Sequence, residues 1–124
     1  MARNAYASYE AGDNQRSAAP IKITATPNTA CVSATLGDLD KTYRIGRFAI
    51  CHVNFQITAA VAAQGIMLSG FPVPLGGDIV FNLTFSGTTN MVRARIKSNG
   101  TLVAPEAISS TGWVYGSTTY VTAS

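Results

Sequence analysis

The sequence predicts an all-β fold: an antiparallel β-sandwich of jelly-roll type built from about eight short strands. Three observations carry this expectation. Apolar and polar residues alternate with a period of two in one segment after another. Clusters of Gly, Pro, Asn and Asp divide those segments at short intervals. No stretch of about ten residues combines a helical apolar stripe with a capping residue. A closed small barrel is the runner-up, and no internal repeat points to a solenoid or propeller.

The polar, Ala-rich stretch over residues 1–19 has neither sustained alternation nor a capped stripe, so it reads as a flexible tail or linker, with the folded domain over 20–124. A strand is expected over 21–26, where Ile21, Ile23 and Ala25 alternate with Lys22 and Thr24 before the Pro27-Asn28 turn. Cys31 to Leu36 and Thr42 to Gly46 read as short edge strands separated by the turn Gly37-Asp38-Leu39-Asp40. Arg47 to Thr58 is the clearest strand. Its Ala49, Cys51, Val53, Phe55 and Ile57 face the core, while His52, Asn54, Gln56 and Thr58 face outward with Phe48. Ala59 to Gln64 lacks a helix cap and reads as strand end plus loop; Gly65 to Ser69 follows as a short strand.

Prolines and glycines make Gly70 to Gly77 a loop anchored by Phe71. Asp78 to Phe85 then directs Ile79, Phe81, Leu83 and Phe85 inward. Met91 to Lys97 buries Val92, Ala94 and Ile96 and presents Arg93, Arg95 and Lys97 as a basic stripe. Ser98-Asn99-Gly100 is a hairpin signal leading into Thr101-Leu102-Val103. The last strand runs from Gly112 to Ala123 and carries Trp113, Tyr115 and Tyr120, with a bulge expected at Gly116.

One domain of 124 residues is enough chain for a single core. Only 12% of the residues are charged, against a usual share of about 25%. Thr, Ser, Asn and Gly cover the surface instead, and such neutral groups are cheap to bury between subunits, so composition leans toward an oligomer. Nine Lys and Arg against six Asp and Glu leave a formal net charge of +3, too diffuse for a nucleic-acid binder. The Arg44 to Phe55 stretch superficially suggests a base-stacking RNA strand, but Phe48 and Phe55 fall on opposite faces and the helices of such a domain are missing. No apolar run is long enough to span a bilayer and no signal peptide is visible, so neither membrane nor export is expected. Cys31 and Cys51 lack metal-ligand spacing and read as two buried thiols, and the lone His52 closes off a multi-histidine metal site; no cofactor is expected. Without a secretory signal, the Asn82 and Asn99 sequons are expected to stay unmodified.

Several segments, in this order and spacing, resemble the C-terminal head or knob domains of tailed-phage tail-fibre and receptor-binding proteins. They are the Tyr43-Arg44-Ile45-Gly46-Arg47-Phe48-Ala49-Ile50-Cys51-His52-Val53-Asn54-Phe55 strand, the Gly65-Ile66-Met67-Leu68-Ser69-Gly70-Phe71-Pro72-Val73-Pro74 loop, the Val92 to Leu102 hairpin, and the terminal Gly112-Trp113-Val114-Tyr115 with Thr119-Tyr120-Val121-Thr122. The resemblance spans roughly residues 20–124. It implies a homotrimeric β-sandwich in a virion tail, made in the bacterial cytoplasm, that adsorbs to a host cell-surface saccharide or teichoic-acid-like polymer, with other tail proteins as further partners. Residues 1–19 show neither the heptads nor the Gly-X-Y period expected of a fibre shaft.

A glycan-binding head needs aromatic faces for sugar C–H groups and directional donors and acceptors for hydroxyls; a phosphate-bearing polymer adds a demand for Arg. Trp113, Tyr115, His52, Arg93 and Arg95 are the candidates near the expected subunit seams. An enzyme is not expected. Asp38, Asp40, Asp78 and Glu106 all sit in predicted turns, and no nucleophile-elbow motif accompanies His52. The competing reading is a structural virion module, a decoration or baseplate assembly protein without ligand. A host-encoded carbohydrate-binding or TNF-like trimer would share the fold.

Overall fold

The computed structural model describes residues 20–28, 33–37 and 41–124, and among them every regular element is a strand. In chain order these are β1 (Ile21–Ile23), β2 (Thr26–Pro27), β3 (Ala34–Leu36), β4 (Lys41–Ile45), β5 (Phe48–Ile57), β6 (Ile66–Ser69), β7 (Ile79–Phe85), β8 (Met91–Ile96), β9 (Leu102–Val103) and β10 (Gly112–Val121). All pairings are antiparallel, and the hydrogen-bonded path runs β1-β4-β5-β10-β7-β8-β9-β6-β2, with β3 also paired to β5. The first and last strands of this path are joined in sequence by Thr24 and Ala25 alone. Two residues reach no further than roughly 10 Å, so the sheet has to curl until its ends approach each other. The protein is therefore all-β and antiparallel, built on one curled ten-stranded sheet.

The curl encloses the core. Alternation places Ala49, Cys51, Val53, Phe55 and Ile57 of β5 inward, each fully buried, against Leu83 of β7, Ala94 and Ile96 of β8, and Val114 of β10. Each large side chain removed from water this way contributes roughly 1.5–3 kcal/mol. Phe71 is buried as expected for a loop anchor. The Ser98-Asn99-Gly100 turn closes the β8–β9 hairpin, with Gly100 N–H donating to the Lys97 carbonyl at 2.9 Å and Gly100 at φ +82°. Ala59 to Gln64 is loop, with Val61 bridged to Ile108.

Four expectations need correction. Ten strands form where about eight were counted. One reason is that the single strand expected over 21–26 is broken at Thr24-Ala25, where the chain crosses from one end of the sheet to the other. Gly116 makes no bulge: pairing of β10 with β5 runs without a break from Gly112↔Ile57 to Val121↔Phe48. A Cβ at Gly116 would lie 2.5 Å from the Asn82 carbonyl oxygen, so glycine is there to let β7 come close. The strand expected to start at Cys31 is seen only over Ala34–Leu36, with Cys31 and Val32 outside the described residues. So are the tail over 1–19 and Asp38 and Asp40. Cys51 is the buried thiol expected, and it lies against the Tyr120 hydroxyl.

Candidate functional site

The register of the outward side chains brings the candidate residues together. On the β5–β10 pair, Tyr115 sits opposite Asn54, Trp113 opposite Gln56 and Ser117 opposite His52. Beyond β10, Tyr115 also faces Thr84 of β7. The other flank of β5 is shared by β3 and β4, with Leu36 opposite Phe55 and Lys41 opposite His52. Gly37, just after β3, lies over the neighbouring outward side chains: its N–H donates to the Asn54 carbonyl at 2.7 Å, and a Cβ there would lie 3.0 Å from the Trp113 ring and 3.1 Å from the Asn54 amide. Gly37 thus forms one wall beside Trp113.

His52, Asn54, Ser86, Trp113 and Tyr115 line a shallow concavity of about 390 Å³. Trp113 is 39% and Tyr115 44% exposed, so both rings keep much of their surface in water. The imidazole of His52, the amide of Asn54, the indole N–H of Trp113 and the phenol of Tyr115 make no side-chain hydrogen bond or ion pair with any other described residue. Two accessible rings flanked by donors and acceptors that no other described residue engages suit a ligand with both apolar faces and hydroxyl groups. Ser86 is held at the rim by donating its N–H to the Trp113 carbonyl at 2.9 Å.

Arg93 and Arg95 stand apart from this cluster. Both face outward on β8, which is separated from β10 by β7, a distance of roughly 10 Å. Arg93 is exposed and lines a second concavity of about 300 Å³ with Asn82, Met91 and Glu106 among its walls. Arg95 is half-buried, its Nε 4.0 Å from Asp78 Oδ2. The same Asp78 accepts the Ser98 N–H through Oδ1 at 3.1 Å, so the pair braces the start of the β8–β9 turn. Three of the five sequence candidates thus share one concavity, and two do not.

Asn54 and Ser86 complete the cluster. Asn54 was legible as an outward partner of His52 on the same strand, whereas Ser86 read only as part of a turn and carried no signal. Among the described residues no group of three or more His, Cys, Asp or Glu side chains is placed to hold a metal ion. No protein-family model matches this sequence, and no curated protein matches it.

Proposed function

We propose that this chain is a non-enzymatic head domain of a phage or prophage tail fibre, adsorbing to a bacterial surface saccharide or teichoic-acid-like polymer through the concavity between β5 and β10. In this reading the curled sheet is the unit of a jelly-roll-like sandwich, three copies assemble in the virion tail, and the site lies near their seams. The observation that carries the ligand half is the set of polar groups without a side-chain partner among the described residues, His52, Asn54, the Trp113 indole and the Tyr115 phenol, around two accessible rings. Arg93 supplies a cation for a phosphate or carboxylate two strands away, within reach of a polymer laid across the strands. Shallow single sites suffice for a repeating polymer, because copies held together convert later contacts into intramolecular ones.

The test is a binding array of cell-wall polymers and surface glycans probed with the full chain. Trp113→Ala, which removes a stacking face of an already exposed residue, is expected to weaken binding about tenfold or more without loss of fold. Arg93→Ala is expected to weaken only phosphate- or carboxylate-bearing polymers. Binding of the wild-type chain to none of them, or binding indifferent to Trp113→Ala, would overturn this reading and favour the structural virion module. An apolar patch at the opposite end of the same face bears on self-association, which both readings share.

A further inference from the structure

We infer that the outward face at the Gly46-Arg47 end of the sheet is a self-association surface whose occupant is a second copy of this chain. The inference deepens the assembly half of the proposed function and is independent of the ligand half. Register again builds the surface. Ile45 pairs with Phe48, and Phe48 with Val121. The loop after β6 extends the row: Pro74 bridges Thr122, Leu75 N–H donates to the Val121 carbonyl at 2.8 Å and Ala123 N–H to the Val73 carbonyl at 2.8 Å. With Pro74 and Thr122 both buried, alternation turns Val73 and Leu75 outward beside Val121. One cross-strand row therefore reads Ile45–Phe48–Val121–Leu75, and the row behind it includes Tyr43 and Ile50.

Phe48 is 53% and Leu75 56% exposed, and Ile50, Val73 and Val121 are each well exposed. Their combined apolar surface is on the order of 450 Å², in the middle of the roughly 300–600 Å² range for the largest patch on a lone domain, a patch that is often functional. Stable interfaces bury about 800 Å² per partner, apolar at the centre and polar at the rim. The patch supplies such a centre, and the adjoining Thr119 supplies neutral rim.

Charge selects the occupant. No charged residue belongs to the central row or to the β4–β5–β10 part of the row behind it; Lys22, opposite Tyr43, and Arg47, whose guanidinium donates to the Thr122 carbonyl at 3.0 Å, stand at the periphery. An acidic partner would find no cation at the centre to pair with, whereas a second neutral patch meets no like-charge repulsion there. Seating a copy on this end leaves the His52–Asn54–Tyr115 rows free. They lie two to three rows along the same strands, roughly 14–20 Å from Phe48, which brings the concavities of neighbouring copies close to the seam.

Sedimentation equilibrium on the full chain from about 1 to about 200 μM tests this. Wild type is expected at a multiple of 13.0 kDa. Phe48→Asp and Leu75→Asp, one on a strand and one on a loop, are each expected to run as single chains with unchanged circular dichroism. Met91→Asp, at a 62% exposed position on β8, is expected to remain assembled. A wild-type mass of one chain at the highest concentration would overturn the inference, as would assemblies that survive both Asp variants or that Met91→Asp dissolves equally. Polymer binding is read separately. A wild type that assembles through this patch yet binds no polymer supports the inference while removing the ligand half of the proposed function.

Discussion

Tyr120 offers the most quantitative test of how the end of β10 is fixed. Its ring is 5% exposed opposite Ala49, and its hydroxyl donates to the Pro72 carbonyl at 2.7 Å, tying the strand to the loop that carries Val73 and Leu75. Burial pushes the phenol's pKa well above its ordinary value, and the neighbouring Cys51 adds to the shift. Because the folded-state value is raised, the stabilisation is complete below the unfolded value of about 10 and is lost as the pH rises beyond it, when only the unfolded chain ionises. Tyr120→Phe removes the hydrogen bond, at a cost of about 1 kcal/mol at neutral pH, and also removes the alkaline penalty. That penalty grows as RT ln(1 + 10^(pH − 10)), reaching about 1 kcal/mol near pH 10.7, so the two proteins should be equally stable there. Above that pH the variant should be the more stable, with the gap opening at about 1.4 kcal/mol per unit. Urea unfolding of both chains at pH 8, 10, 10.7 and 11.3 measures the difference, in which titrating groups not coupled to Tyr120 cancel. A gap that stays constant through pH 11.3 would mean that Tyr120 ionises in the folded protein and that the reasoning fails. Equal stability at pH 8 would mean that the Pro72 bond contributes nothing net.

Two further substitutions probe the backbone that supports the site. Thr42 is buried opposite Cys51 and its Oγ1 has no hydrogen-bond partner, so Thr42→Val, which keeps the shape and removes the stranded hydroxyl, is expected to stabilise the chain by about 1 kcal/mol. Thermal unfolding reads this directly, and a lowered Tm would contradict it. Gly100→Ala places a Cβ 2.4 Å from the Phe71 carbonyl oxygen at a backbone φ of +82°, so a left-handed cost and a clash with main chain act together. A loss of about 2 kcal/mol or more is expected as a lower urea midpoint with unchanged slope, and a loss under about 0.5 kcal/mol would show that the hairpin relaxes freely.

Alternation made the facing of β5, β7 and β8 legible because their two sides differ in chemistry at nearly every position; Cys51, Phe55, Leu83 and Ile96 all lie where period two puts them. The curl of the sheet was not legible. Ile21 to Thr26 alternates as one strand would, and only the distant pairings of Ile23 with Thr42 and Thr26 with Ser69 split it. Gly116 shows the same limit. Its sequence context signals a special backbone position, but the cause is the Asn82 carbonyl on a neighbouring strand. For the site, parity placed His52 outward, whereas the facing of Trp113 and Tyr115 and their convergence with His52 depend on the Tyr115↔Asn54 register, a long-range quantity. Arg93 and Arg95 also face outward as expected, and strand order sets them beyond β7.

That register aligns two opposite gradients. Along β5 the outward residues run from Phe48 and Ile50 through His52 to Asn54 and Gln56, and along β10 they run from Trp113 and Tyr115 through Ser117 and Thr119 to Val121. Antiparallel pairing sets apolar against apolar at one end of the face, and rings against amides at the other. The two ends respond oppositely to being covered by protein. Burying Phe48 and Val121 against a like surface removes apolar area from water at no polar cost. Burying the other end in the same way would strand the Asn54 amide, the Trp113 indole and the Tyr115 hydroxyl unless each met a matched partner, at roughly 1–3 kcal/mol for each group left unpaired. A purely structural module that hides the whole face would bear that cost without return. A face that self-associates at one end and exchanges water for sugar hydroxyls at the other does not, and this asymmetry favours the adsorption reading over the structural one.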